Sequence, residues 1–148
     1  MEIKQTIQEQ VHSFYYDQDM NCARTTLQVL STLFNQPIEK QVMQAAVALH
    51  GLGGSREQCG LVEGSAMFLG LFFLCHGWDE ERVVALTNEF AHSYVRRFGS
   101  VRCYDLRPGG FSDNDAPHLC ENLSVESIFF TYQFILQHSV EEGVGMDY

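Results

Sequence analysis

The stretch after Gln58 constrains the fold most. From Cys59 to Cys75 the chain reads CGLVEGSAMFLGLFFLC, and Glu63 is its only charged residue. A helix drawn through it is apolar nearly all round, so it has no face to offer water and must be enclosed by other helices. Gly60, Gly64 and Gly70 recur along it. Each costs up to about 1 kcal/mol relative to Ala in a helix interior, which predicts close backbone contact with a neighbour. Ser55-Arg56-Glu57-Gln58 has the form of a capping box ahead of this helix, which is expected to run to about His76.

The enclosing elements read at helical period. Ile3, Ile7, Val11 and Phe14 predict a first helix over residues 2–16. Asp17, Asp19 and Asn21 interrupt it, and a second helix runs to Phe34 with Leu27, Leu30, Leu33 and Phe34 on its apolar side. Pro37 fits the first position of a third helix reaching His50, after which Gly51, Gly53 and Gly54 break the chain. Gly77 ends the central helix. Asp79 is placed to cap a fifth helix over 80–98, and Gly99 to close it. Residues 101–115 form the longest irregular stretch, and a last helix runs from Pro117 or Ser124 to Val140. The aromatic cluster Phe129, Phe130, Tyr132 and Phe134 reads as core packing, and residues 141–148 as a frayed tail. The expected fold is all-α: a single-domain bundle of about six helices over residues 1–148 with a buried, glycine-containing central helix.

Composition excludes several functions. At 148 residues, 45% hydrophobic and 19% charged, the chain can bury a core without a disulfide or metal to hold it. A formal charge of −10 with only nine Lys and Arg leaves no basic surface for nucleic acid. Met1 to Gln10 carry no apolar signal core, and the run Ala66 to Cys75 is about half the length needed to span a bilayer. The expectation is a soluble, cytoplasmic protein without membrane insertion. In that reducing setting five cysteines are catalytic, redox-sensing, metal-binding or buried rather than a secreted disulfide framework.

Position separates the cysteines. Cys22 follows Asp19 and Asn21, Cys59 follows the Ser55 box, and Cys120 follows Asp115 and Pro117, with Ser124 a rival cap. Each is expected in the first turn of a helix, where free amides favour a thiolate and lower its pKa. Cys103 lies among Arg96, Arg97, Arg102 and Arg107, which favour a thiolate in the same direction. Cys75, at the carboxyl end of the central helix, is expected to be buried and inert. Glu63, one turn after Cys59, is a candidate proton acceptor for its thiol. His118, two residues before Cys120, is a candidate metal ligand or thiol partner, and His50 precedes the glycine loop. His12, His76, His92 and His138 have no patterned partner and read as structural.

Other chemistries lack their signatures. There is no Cys-x-x-Cys and no Cys-x-x-Cys-His. Gly51-Leu52-Gly53-Gly54 lacks the Lys-Ser/Thr ending of a phosphate loop, and no Ser nucleophile elbow occurs.

Gly53-Gly54 followed by Gln58-Cys59-Gly60-Leu61-Val62-Glu63-Gly64 resembles the signature of a family described as redox-active and named for a CGAxxG motif and four characteristic cysteines. Asn21-Cys22-Ala23 is similar to its first cysteine site, Phe98-Gly99-Ser100 with Cys103 to its third, and Cys120 falls where its fourth is expected. The motif alanine is Leu61 here. The resemblance covers residues 20 to 135 and implies Cys22, Cys59, Cys103 and Cys120 as functional residues, with Cys75 having no counterpart. Two readings follow. In the first, the four cysteines gather and cycle between dithiol and disulfide, as a thiol-dependent oxidoreductase with Cys59 as nucleophile and Glu63 beside it. In the second, the same four, or three with His118, hold zinc or an iron–sulfur cluster. A third is a helical interaction domain whose cysteines only pack. The expected partner is a redox protein or a membrane-transport protein of unspecified kind, with self-association into a homo-oligomer left open.

Overall fold

The computed structural model describes residues 2–107 and 109–141. Eight helices occur among them: α1 (Glu2–Tyr16), α2 (Cys22–Phe34), α3 (Lys40–Ala45), α4 (Gly51–Gly54), α5 (Gly60–Cys75), α6 (Glu80–Phe98), α7 (Cys103–Leu106) and α8 (Glu121–Glu141). No strand occurs among the described residues; their only ladder contact is an isolated antiparallel bridge between Gln58 and Arg102. The fold is all-α, as the periodicity predicts. Glu141 closes α8, and the tail expected beyond it lies outside the described residues.

The apolar helix is the axis of the bundle. α5 packs most extensively on α2 and also on α6 and α8, while α1 lies across α8 and α2. Phe68, Leu69, Phe72 and Phe73 of α5 are all but inaccessible to solvent, with Ile7 and Val11 of α1, Leu27 and Leu30 of α2, Phe90 and Tyr94 of α6, and Ile128 and Ile135 of α8. Phe130 meets Phe90, Tyr94 and Phe98, and Tyr132 meets Phe34, so the aromatic cluster of α8 belongs to this core. Three buried hydroxyl pairs tie α8 to its neighbours: Ser65 with Thr131 at 2.9 Å, Tyr94 donating to Ser127 at 2.9 Å, and Tyr15 with Ser124 at 2.5 Å. A buried hydroxyl without a partner is costly, so these pairs fix the rotation of α8 as well as its position.

Two of the three glycines on α5 are there for close approach. A Cβ on Gly60 would overlap Cys22 Sγ and the Leu49 carbonyl, and one on Gly64 would come within 2.7 Å of the Ala23 carbonyl. Gly70 meets nothing within 4 Å, so the contact expected there is absent.

Caps behave as expected at α2 and α6. Asn21 Oδ1 accepts the Arg24 N–H at 2.9 Å, Asp79 accepts the Arg82 N–H at 2.8 Å, and Gly99 closes α6 at φ 93°. The segment between α2 and α5 departs from expectation. α3 starts at Lys40 rather than Pro37 and ends at Ala45, where the chain passes into turns over 46–50, although Val42 and Met43 pack against the core and Ala46 is buried in it. The glycine break is itself a turn wound in the left-handed sense, with φ of 64°, 51°, 67° and 78° at residues 51–54, and the Gly54 N–H reaching the His50 carbonyl at 3.0 Å. Leu52 is its one residue with a side chain, in a conformation that costs an L-residue about 1–2 kcal/mol. Ser55 is not a helix cap: its hydroxyl turns back to the Gly51 carbonyl at 3.0 Å, and Cys59 occupies the N-cap position of α5. The irregular stretch after α6 contains one helical turn, α7. Neither Pro117 nor Ser124 begins α8. It starts at Glu121, with the Cys120 carbonyl accepting the Ser124 N–H at 2.7 Å.

Candidate thiol site

Four helices begin at the same place, and each brings a cysteine. Cys22 is the first residue of α2, Cys59 the N-cap of α5, Cys103 the first residue of α7, and Cys120 the residue just before α8. All four line one cavity of about 610 Å³. Cys75, at the other end of α5 about 22 Å along the axis, does not. It is exposed, which corrects the expectation of a buried thiol: the last turn of α5 runs out of the core at Leu74 and Cys75. All five cysteines are free thiols. A more open depression of about 680 Å³, lined by Lys4, Gln5, Gln8, Glu9, His12 and Glu121, contains no cysteine.

A short main-chain ladder joins two of the thiols. The Cys59 N–H donates to the Val101 carbonyl at 2.9 Å, Cys103 N–H to the Glu57 carbonyl at 2.7 Å, and Tyr104 N–H to the Arg56 carbonyl at 2.9 Å. Arg102 Nε and Nη2 hold the two oxygens of Glu57 at 3.2 and 3.0 Å over the same ladder. Gln58 stands opposite Arg102, so Cys59 and Cys103 fall on one face as diagonal neighbours. Gly51 backs this arrangement: a Cβ on it would come within 3.1 Å of Cys103 Sγ. On the other side, Asn21 anchors the start of α2 by donating to the Ala46 and Val47 carbonyls at 3.2 and 2.7 Å.

The thiols are not held as thiolates by their helix starts. Burial pushes Cys22 up to about 12, with charge on Cys59, Cys120 or Cys103 acting in the same direction. Burial pushes Cys59 up to about 11, against the opposing pull of the Leu61 and Val62 amides. Cys103 and Cys120 are also raised by burial, opposed by the Arg107 guanidinium at both and by Arg56 at Cys103. The expected lowering therefore fails: loss of hydration outweighs the favourable amides and guanidinium groups.

The remaining candidates divide. His118 lines the cavity, at φ 60°, with Nε2 3.1 Å from Asp19 Oδ1 and its ring stacked on Tyr15 at 4.7 Å. Glu63 sits half-buried in the first turn of α5 and lines no part of the cavity. Among the described residues no group of three or more His, Cys, Asp or Glu is spaced to hold a metal ion. Of the arginines expected around Cys103, Arg107 lines the cavity, paired with Asp115 at 3.1 Å. Arg102 faces solvent on Glu57, and Arg96 and Arg97 are exposed on α6. Sequence reasoning missed Arg24, Arg56 and Tyr15, which line the cavity as well. Arg24 lies two residues after Cys22 and Arg56 three before Cys59, while Tyr15 continues the Ile7 and Val11 face of α1. Proximity in sequence was the available signal for the two arginines.

An all-α fold with four cysteines around one cavity defines a helical thiol protein. The chain belongs to the family described as "Putative redox-active protein (C_GCAxxG_C_C)", whose family model matches residues 20–133. No curated protein and no solved structure matches it. No helix among the described residues is long and apolar enough to cross a membrane.

Proposed function

We propose that this chain is a thiol redox protein whose cavity cysteines cycle between two thiols and one disulfide. The observation that carries the reading is the convergence of four helix starts, each with a cysteine, on one cavity, while the fifth cysteine stands apart. Cys103 is the better first nucleophile than Cys59, the residue favoured by sequence. It is less buried, and Arg107 and Arg56 both favour its ionised form. Cys59, its diagonal neighbour across the ladder, is then the resolving thiol. The Cys103 thiolate attacks a disulfide, breaking its S–S bond and releasing one thiolate. Cys59 then attacks the mixed disulfide and releases the second. Two electrons leave the protein with two protons. Glu63, outside the cavity lining, takes no part in this scheme. Such a cycle fits a reducing, cytoplasmic setting.

The test is a thiol count on anaerobically purified protein before and after mild oxidation, with peptide mapping of the product. Reversible loss of two or four thiols, including a Cys59–Cys103 link, is expected. Five thiols unchanged by a range of disulfide oxidants would defeat the reading. Stoichiometric zinc or a visible iron–sulfur chromophore in the purified protein would replace it with the metal-holding alternative at Cys22, Cys59, Cys103 and Cys120.

A further inference from the structure

The cavity reverses the electrostatic sign of the molecule. The chain carries nineteen Asp and Glu against nine Lys and Arg. Yet Arg24, Arg56 and Arg107 line the cavity, and Asp19 is the only carboxylate among its described lining residues. Asp19 is 93% exposed and engaged by His118. Arg107 shares its charge with Asp115. Arg56 lies over the Phe111 ring at 4.2 Å, and no carboxylate pairs with it or with Arg24 among the described residues. The Nε atoms of Arg24 and Arg107 are both buried and lack a hydrogen-bond partner. A buried guanidinium N–H without an acceptor is costly, and both side chains belong to the cavity lining, so the positive charge there is only partly compensated. The volume, about 610 Å³, is that of a small-molecule site rather than a protein groove.

From this we infer that the oxidant taken by the cavity is a small anionic disulfide, one bearing carboxylate or sulfonate groups, docked by Arg24, Arg56 and Arg107 beside Cys103 and Cys120. The inference rests on the thiol redox reading and names its substrate class. Guanidinium forks match carboxylate and sulfonate oxygens in geometry as well as charge, and they leave the sulfurs of the ligand facing the thiols. Cys103 attacks one ligand sulfur, the ligand S–S bond breaks, and one anionic thiolate leaves. A second protein thiol then attacks the mixed disulfide and expels the other. The ligand gains two electrons, the protein loses two, and the two thiol protons pass to the departing thiolates.

The test needs no redox cycle, because alkylation reads the same charge preference. Reduced protein is treated in parallel with iodoacetate, an anion, and iodoacetamide, its neutral near-isostere, and each cysteine is scored by mass spectrometry. Exposed Cys75 serves as the internal reference. The iodoacetate-to-iodoacetamide ratio at Cys103 and Cys120 is expected to exceed that at Cys75 by roughly tenfold at low salt and to contract toward it at about 1 M salt. R24Q and R56Q each lower the cavity ratio several-fold, and R56K retains it; Arg56 is exposed, so R56Q leaves the fold intact. A cavity ratio no higher than that of Cys75, or one unmoved by R24Q and R56Q, overturns the inference. Either result leaves the dithiol cycle standing, since the thiol count measures that separately.

Discussion

Gly60 lies against Cys22 so closely that a single methyl group on it would overlap the Cys22 sulfur. The first glycine of the motif is thus the floor on which the thiol of another helix rests. Gly60→Ala is expected to push α2 away from α5 and cost about 1–3 kcal/mol, as overpacking in a close-fitting core does. Gly70→Ala, with nothing within 4 Å of the new Cβ, is expected to stabilise by about 0.5–1 kcal/mol through helix propensity alone. Urea midpoints of the two variants check the contrast, and equal effects would show that Gly60 is not a contact glycine.

Thiol ionisation sets a pH dependence on stability. Below the ordinary thiol range both folded and unfolded chains keep their thiol protons, so this contribution is fully present. As pH rises, the unfolded chain releases protons that the folded protein holds until about 11 at Cys59 and about 12 at Cys22. Stability therefore falls across that window, by about 1.4 kcal/mol per pH unit for each thiol. Denaturant midpoints measured from neutral to alkaline pH are expected to decline, and Cys59→Ala to flatten the slope. An unchanged slope in that variant would assign the decline to other groups.

Arg107 is the one guanidinium that favours ionisation of both Cys103 and Cys120. Arg107→Gln is expected to move the pH–rate profiles for alkylation by neutral iodoacetamide to higher pH at these two sites, slowing them roughly threefold to tenfold near neutrality. Cys75 supplies the unchanged control. A uniform slowing at all cysteines would point to a general loss of structure instead.

Asn21 does two jobs with one side chain, capping α2 through Oδ1 and holding the Ala46 and Val47 carbonyls through Nδ2. Asn21→Ala is expected to cost about 1–3 kcal/mol, more than an exposed cap. Asn21→Asp keeps the cap and loses the two donors, so its denaturation midpoint is expected between those of the wild type and Asn21→Ala. A midpoint for Asn21→Asp equal to that of the wild type would mean the loop carbonyls draw nothing from Asn21.

What could be read from the sequence was local. The stripe in α1, the Asn21 and Asp79 caps, the closing glycine at 99 and the all-round apolar α5 each announce themselves within a few residues, because helix periodicity and cap chemistry are short-range. Failures occur where local signals compete. Ser55 and Gln58 have the spacing of a capping box, but the left-handed turn before them draws the Ser55 hydroxyl back to Gly51. Three glycines reveal freedom at residues 51–54 without revealing its hand. The direction of the thiol shifts is not legible in the sequence, because the helix amides are visible there while the burial that outweighs them is a property of the packed molecule. Cys75 erred the other way, since an apolar neighbourhood in sequence does not say where a helix leaves its bundle. Arg24 and Arg56 sit beside the right cysteines, but only the fold turns them toward a common space.

The ladder between residues 56–59 and 101–104 also has a bearing on how the molecule is made. Its two halves lie on either side of α5 and α6, so the entropy of closing that long loop must be met before the bonds can form. Cys59 and Cys103 are consequently expected to become neighbours only once α5 and α6 have docked. A newly synthesised chain carries them as strangers, and cross-links trapped before the helices dock will join whichever sulfurs happen to collide.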